Sequence, residues 1–306
     1  MFSFFKKKIV PFDTGFLPVG EGHSIYYHQY GNPNGKVVLS FHGGPGGSGK
    51  AKHVSHYDLK KWRVILFDQR GCGFSKFEDA FKNNTSFATV QDAEKLLRHL
   101  KIKDKIVIAG ASFGSGLAVL FAETYPKLVS QLILNSIFLM RKKDAEWVSK
   151  DSRIFYPDLM DEMEKIAGQK DLVLYYYKKL FSDKYLDIQQ AQKYYGSYER
   201  LLGELNPSFE KTPALTDGFI RSGRIYLDYE INHFFVKENQ LLEHIDRIKN
   251  IPTLIVHNRL DFICPVYQAY DLHCALPNSK LVIVPDKGHS SKMLFQVLDR
   301  EIKKLK

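Results

Sequence analysis

The chain has 306 residues, 44% of them hydrophobic, and a formal net charge of +10. This length accommodates one large α/β domain with an inserted lobe or two smaller domains, and the hydrophobic content predicts a globular core. The lysines are scattered along the chain and form no basic stripe with interleaved aromatic residues. The positive charge therefore indicates a solvated surface and not a nucleic-acid interface.

Two further features concern the cellular environment. No apolar run approaches the roughly 20 residues of a membrane span, and the first residues place apolar side chains before the lysines, the reverse of a secretory signal. The three cysteines, Cys72, Cys264 and Cys274, are too few and odd in number for a disulfide framework. Their spacing suits no metal site. We therefore expect a protein of the reducing cytoplasm.

Strand and helix patterns alternate through the first part of the chain. Apolar runs predict strands at 24–29, 36–41, 63–67, 106–109 and 129–138. Amphipathic segments between the later strands predict helices at 90–100 and 117–123. This alternation predicts an α/β fold with a mostly parallel central sheet and helices on both faces.

The pattern changes between residues 140 and 239, which are rich in Tyr, Lys, Glu and Leu at helical spacing and contain no convincing strand. Alternation then resumes with a helix at 241–248, a strand at 252–256, a helix at 266–276 and a strand at 280–284. We therefore predict one core domain in two parts, 1–139 and 240–306, with an inserted helical cap at 140–239.

The most informative motif is Gly110-Ala111-Ser112-Phe113-Gly114, which lies between a predicted strand and a predicted helix. In such a G-x-S-x-G turn the serine oxygen projects from the edge of the sheet, which is typical of a nucleophile. The two glycines are needed because β-carbons there would clash where strand and helix meet. Ser112 is the predicted nucleophile.

A serine nucleophile needs a base, an acid that orients the base, and an oxyanion hole. Asp261 and His289 each follow a predicted strand, and the order Ser, Asp, His is that of the α/β-hydrolase catalytic triad. His257 and His273 lie within a strand and a helix, which favours structural roles. The backbone N–H groups of Gly44 and Phe113 are the predicted oxyanion hole.

A nucleotide-binding alternative comes from Gly44 to Lys50, which match G-x-x-x-x-G-K. Ala51 stands where a Ser or Thr hydroxyl would bind Mg²⁺, and no clear amphipathic helix follows. This alternative also leaves the serine motif and the His289 loop unexplained. A binding protein on an inactive hydrolase fold is a third possibility, which the complete Ser, Asp and His set disfavours.

With these motifs in view, the chain resembles the proline iminopeptidase family of α/β-hydrolase serine peptidases. The resemblance runs almost end to end and rests on long motifs: Gly31 to Lys36, His42 to Gly47, Asp68 to Gly73 with Ser75, Asn83 to Thr85, Gly110 to Gly114, Asp261 to Pro265, and Gly288 to Ser290. It implies removal of N-terminal proline from peptides, without metal or other cofactor, under a helical cap.

In that family two cap glutamates hold the substrate ammonium group and aromatic residues enclose the proline ring. Glu199 matches the first glutamate, in a segment similar to the family's W-x-x-W-E motif. At the second position this chain has Ile231, and Glu230 is adjacent. One residue along a helix turns a side chain by roughly 100°, so Glu230 either reaches the site after a small backbone shift or faces solvent.

The aromatic positions are matched by Phe138 and Phe235, while Phe113 and Val148 replace residues that are larger or aromatic in the family. We expect a serine aminopeptidase that releases N-terminal proline from short peptides. The alternative is an esterase, amidase or broader aminopeptidase with the same triad, because the change at Ile231 removes one amine-binding carboxylate.

Overall fold

The computed structural model describes residues 9–168, 170–205 and 215–305. Within this part of the chain nine strands form one sheet: β1 (Asp13–Gly20), β2 (His23–Gly31), β3 (Lys36–Phe41), β4 (Trp62–Phe67), β5 (Lys76–Phe77), β6 (Ile106–Ser112), β7 (Val129–Ile137), β8 (Thr253–Leu260) and β9 (Ser279–Lys287). All seven strands predicted from the sequence are present, whereas β1 and β5 were not predicted.

The strand order is β1-β2-β4-β3-β6-β7-β8-β9, and β5 pairs with β2. The pairs from β4 to β9 are parallel, while β2 is antiparallel to β1, β4 and β5. The carboxyl ends of β3, β6, β8 and β9 consequently point to the same edge of the sheet, where ligand sites of open α/β sheets form.

Eleven α-helices accompany the sheet in the described residues: α1 (Ser86–His99), α2 (Phe113–Thr124), α3 (Lys142–Ser149), α4 (Pro157–Ala167), α5 (Leu172–Leu180), α6 (Tyr185–Ala191), α7 (Ser197–Glu204), α8 (Asp217–Ile231), α9 (Gln240–Glu243), α10 (Tyr267–Ala275) and α11 (Lys292–Lys303). The helix predicted at 241–248 is in fact two short pieces, α9 and the 3₁₀ turn Ile245–Arg247. Helix α11 was not predicted.

Buried apolar residues form a cluster on each face of the sheet. One cluster unites the sheet with α1, α2 and α10, and the other with α11 and the 3₁₀ helix Ala51–His56. A third cluster lies among helices α3 to α8, which occur between β7 and β8. This confirms the predicted fold class, a mostly parallel sheet covered on both faces with an inserted helical cap. The division at residues 139 and 239 stays a prediction.

Among the described residues, none of the helices combines the length and the apolar character needed to cross a membrane.

Candidate active site

Ser112 lies at the junction of β6 and α2, in a turn that two glycines make possible. Its φ of 57° and ψ of −132° are a conformation that residues with a side chain rarely adopt. An added β-carbon at Gly110 would clash with the Gly114 carbonyl oxygen, and one at Gly114 would clash with the Phe41 carbonyl oxygen. The absence of both β-carbons lets β6, α2 and β3 close around the serine.

His289 and Asp261 form a hydrogen-bonded pair beyond the ends of β9 and β8. His289 Nδ1 donates to Asp261 Oδ2 at 2.8 Å, while Asp261 Oδ1 accepts from the backbone N–H groups of Ile263 and Cys264 at 3.0 and 2.9 Å. Burial lowers the pKa of His289, but the Asp261 carboxylate, with a smaller contribution from Glu199, raises it above 6.5 overall. The pair fixes the imidazole with Nε2 available to a reacting group.

The His289 loop is held by contacts to both the sheet and the cap. The His289 N–H donates to the Gly203 carbonyl of α7 at 2.9 Å, and Ser136 Oγ donates to the His289 carbonyl at 2.9 Å. Gly288 has a φ of +84°, which favours glycine at the turn before the histidine. Helix α7 therefore positions the imidazole as well as carrying Glu199.

His257 has both ring nitrogens occupied by the backbone. The Ile137 N–H donates to His257 Nδ1 at 3.0 Å, so Nε2 carries the proton and donates to the Cys264 carbonyl at 2.8 Å. Burial lowers the pKa of His257, which keeps the ring neutral. This bonding agrees with the structural role expected from its position within a strand.

The Ser112 hydroxyl lies next to the Cys264 thiol. Burial raises the pKa of Cys264 well above 9, and the Ser112 hydroxyl opposes this rise. In the described structure no hydrogen bond joins Ser112 to His289. Catalytic hydrogen bonds of free enzymes are often long and tighten when substrate binds.

The loop after β3 borders the nucleophile. A β-carbon at Gly43 would lie 3.7 Å from Ser112 Oγ and 3.1 Å from the Ala111 carbonyl oxygen. Gly44 has a φ of +134°, and a β-carbon there would lie 2.7 Å from the amide nitrogens of Gly46 and Gly47. Glycine at position 43 lets the backbone approach the serine, and glycine at position 44 lets the loop fold back on itself. Phe113 is the first residue of α2, where helical N–H groups have no intrahelical acceptor.

Two acids of the cap, Glu199 and Glu230, interact electrostatically. Burial raises the pKa of Glu199 on α7 to about 7, and the charge of His289 opposes this rise. Burial also raises the pKa of Glu230 on α8 to about 8, opposed by the hydrogen bond that Tyr195 Oη donates to it at 2.5 Å and reinforced by the charge of Glu199. An ammonium group near both would restore their ionised forms.

A cavity of about 590 Å³ connects these groups. Its lining includes Ser112, His289, Gly44, Glu199 and Tyr226. Glu230 is buried and is not among the lining residues. Burial raises the pKa of Tyr226, and the charges of Glu199 and Glu230 add to this rise. The nucleophile, the imidazole and one carboxylate therefore share a single space of a size typical for small ligands.

Comparison with known proteins identifies the family. Residues 36–295 match the family model of the alpha/beta hydrolase fold. A "Probable proline iminopeptidase" of Leptolyngbya boryana is 40% identical over 289 residues, which cover 92% of this chain and 90% of that protein. A "Proline iminopeptidase" of Xylella fastidiosa strain Temecula1 is 38% identical and covers 93% of each chain. The chain belongs to the proline iminopeptidase family.

Solved structures agree with this family assignment at the level of the fold. A hydrolase from Pseudomonas aeruginosa superimposes with a TM-score of 0.64 at 16% identity, covering 95% of this chain and 97% of that one. A proline iminopeptidase-related protein from Thermus thermophilus gives a TM-score of 0.58 at 19% identity, covering 95% of each chain.

The aromatic wall of this proline iminopeptidase family member differs from the expectation at one position. Phe138 lines the cavity, but Phe235 packs against Tyr229 with ring centroids 5.0 Å apart and is not a lining residue. Phe234 lines the cavity instead and meets Phe138 edge to face at 4.9 Å. The reason is a left-handed turn: residues 233, 234 and 235 have φ values of +50°, +55° and +55°.

For the second glutamate position, the structure excludes the solvent-facing alternative for Glu230 but does not bring this residue to the cavity lining. Its side chain is buried beneath the cap and does not face solvent, whereas Ile231 is only half-buried. Tyr195 and Tyr226, which surround the two carboxylates, were not predicted as site residues. The tyrosine-rich composition of the cap was visible in the sequence, but no spacing rule singled these two out.

Proposed function

We propose that this chain is a serine aminopeptidase that releases N-terminal proline from short peptides through an acyl-enzyme intermediate. The observation that carries this proposal is that Ser112, His289 and Glu199 line one cavity. A simple esterase needs the first two groups but has no use for a carboxylate beside them. A peptidase that acts on free amino termini needs all three.

In the proposed mechanism His289 Nε2 takes the proton of Ser112 Oγ, and the oxygen attacks the carbonyl carbon of the N-terminal residue. The N–H groups of Gly44 and Phe113 hold the resulting oxyanion. His289 then gives its proton to the leaving peptide amine. Water attacks the acyl-enzyme by the same route, which releases proline and restores Ser112. Asp261 keeps the imidazole oriented throughout.

Substrate selection would be the task of the cap. Glu199 binds the ammonium group directly, and Glu230 adds negative charge from behind Tyr226. Phe138 and Phe234 provide apolar faces for the pyrrolidine ring. This arrangement supports short peptides as substrates.

A second candidate function is an esterase, amidase or broader aminopeptidase. Ile231 and Val148 favour it, because the first removes a carboxylate from the usual amine-binding position and the second is an aliphatic residue in the cavity lining. Comparing prolyl, alanyl and leucyl arylamides with short acyl esters separates the two. Ester turnover without cleavage of prolyl arylamide would rule out the peptidase assignment.

Three substitutions test the assigned roles. We expect Ser112→Ala to abolish turnover of every substrate while leaving the fold intact.

Glu199→Gln should raise KM for prolyl arylamide about 10-fold or more and leave ester turnover nearly unchanged, because it removes a charge-assisted contact to the amine. Glu164→Gln, an exposed cap position, is the matched control. Equal effects of Glu199→Gln on amide and ester would contradict the ammonium role.

The cytoplasm is the compartment that we propose, with the cysteines as support. Cys72 and Cys264 are free thiols in the interior and Cys274 is a free thiol on the surface. A reducing compartment preserves such a set. Neither nucleic acid nor a membrane is among the proposed partners.

A further inference from the structure

A second cavity, of about 250 Å³, lies three helical turns along α2 from Ser112, or roughly 16 Å away. Its lining combines one acid, three basic side chains, two apolar ones and two neutral polar ones: Glu123, Lys237, His244, Arg247, Phe87, Leu120, Thr124 and Gln240. None of these residues takes part in the mechanism proposed above. The cavity is therefore a separate feature that needs its own explanation.

The acid at this cavity is unusually placed. Glu123 is 3% exposed, and neither of its carboxylate oxygens has a hydrogen-bond partner among the described residues. Burial raises its pKa to about 8, although the charge of Arg247 opposes this rise. Glu123 also lies in the last turn of α2, where the helix dipole disfavours a negative charge. A cationic hydrogen-bond donor is what this carboxylate lacks.

The cations at this cavity do not fill that role. Lys237 and Arg247 are exposed, and neither forms a hydrogen bond with Glu123. Arg247 is near enough to influence the carboxylate electrostatically without contacting it. The cavity thus combines an acceptor without a donor, Glu123, with cationic donors that are exposed to solvent, Lys237 and Arg247.

We propose that this cavity binds a free α-amino acid in its zwitterionic form. The ammonium group would lie on the Glu123 carboxylate, the ligand carboxylate on Arg247 and Lys237, and a small apolar side chain against Phe87 and Leu120. The buried carboxylate would repel a simple anion, and the two cations would repel a simple protonated amine. A zwitterion offers a partner to both the carboxylate and the cations.

Isothermal titration of the full chain with three matched probes tests this. L-proline carries both charges, pyrrolidine only the ammonium, and cyclopentanecarboxylate only the carboxylate. The titrations use the Glu199→Gln background, so that amine binding in the cavity at Ser112 is weakened. We expect a Kd for proline on the order of 1 mM at about pH 8, and binding of the other two at least about 10-fold weaker.

Variants locate the site. Glu123→Gln and Arg247→Met should each weaken proline binding about 10-fold or more, because each removes a charge-assisted hydrogen bond. Glu243→Gln, an exposed position on α9, makes the same charge change and should have no effect. Arg247 is exposed, so its variant should fold even if the buried one does not.

Three results would overturn the proposal: unchanged affinity in both site variants, cyclopentanecarboxylate binding as tightly as proline, or no saturable proline binding up to about 100 mM. The titration needs no turnover, so its outcome is independent of the proposed peptidase activity.

Discussion

Glu199 is the residue whose protonation connects the cap to catalysis. Its pKa is about 7 and that of Glu230 is about 8, in both cases chiefly because of burial. In the free enzyme near neutral pH each acid is therefore partly protonated. Binding of an ammonium group favours the ionised forms, so a substrate amine and these acids should be linked through pH.

We expect kcat/KM for prolyl arylamide to increase between about pH 6 and pH 8, as Glu199 and Glu230 lose their protons. His289 must also be neutral to act as a base, and its raised pKa contributes to the same ascending limb. A short acyl ester has no amine, so its profile reports His289 without the glutamates. The pH profile of kcat/KM should be steeper for the amide than for the ester. Parallel profiles would mean that the glutamates do not bind the substrate amine.

Glu123 gives a prediction about stability. Its pKa in the folded state is about 8, compared with an ordinary value of 4.5. Between these values the folded state binds more protons than the unfolded state, so the Glu123 contribution to stability falls as pH rises from about 4.5 to about 8. Glu123→Gln does not titrate. We expect this variant to exceed the wild type in unfolding free energy by about 4 kcal/mol at pH 8.

Urea unfolding of both proteins across this pH range measures the difference, which should shrink towards zero as pH falls to about 4.5. Glu243→Gln removes an exposed acid from α9 and should follow the wild-type curve. A constant difference at all pH values would indicate a packing effect and not the titration of a buried carboxylate.

At the level of elements, the sequence predicted the strands and turns that hydrophobic periodicity and glycine positions specify. The buried parallel strands and the glycine-framed serine are local signals, and they were predicted close to their observed limits. β1 was missed because it contains Pro18 and glycines and alternates exposed and half-buried residues at the sheet edge. β5 has only two residues, which is too short for any periodicity.

The cap residues were harder to place because two local irregularities change side-chain direction. A π-helical turn, Gln192–Gly196, directly precedes α7. Its extra residue changes the direction in which the following side chains, including Glu199, point. A left-handed turn at residues 233–235 brings Phe234, not Phe235, to the cavity. Neither irregularity has a composition signal, since both depend on how α7 and α8 pack against the core.

The contact between α8 and the loop 42–47 carries an element-level prediction. Ser222 Oγ donates to the Gly46 carbonyl at 2.8 Å, and a β-carbon at Gly46 would lie 2.5 Å from the Ser222 carbonyl oxygen. Gly46→Ala must therefore shift either α8 or the loop that carries Gly44. We expect kcat/KM to fall about 10- to 100-fold for amide and ester substrates alike, because displaced oxyanion donors affect both.

Gly20 supplies the matched control for this substitution. It also has a positive φ, +96° against +87° for Gly46, but a β-carbon there would meet no atom within 4 Å. Gly20→Ala should cost about 1–2 kcal/mol of unfolding free energy through backbone strain and leave activity unchanged. If both variants kept full activity, the close approach of α8 would have no part in forming the site.

At the scale of the whole molecule, a buried polar network joins the core to the cap. Arg70 donates two hydrogen bonds to Asp92 of α1, at 2.6 and 2.9 Å, and a third to the Asn83 carbonyl at 2.9 Å. Asn84 donates to the Arg70 carbonyl and accepts from Tyr229 Oη of α8. The network thus connects helix α1 of the core to α8, the cap helix that carries Glu230.

Removing the charge of Asp92 should destabilise the entire fold. Asp92→Asn leaves the Arg70 guanidinium buried without its carboxylate, and breaking a buried pair costs about 3–5 kcal/mol of unfolding free energy. Glu94→Gln on the same helix breaks the pair with Arg98, whose side chain is 70% exposed, and should cost less than about 1 kcal/mol. Urea unfolding followed by circular dichroism compares the two. Equal losses would mean that the buried pair stabilises the molecule no more than a surface contact does.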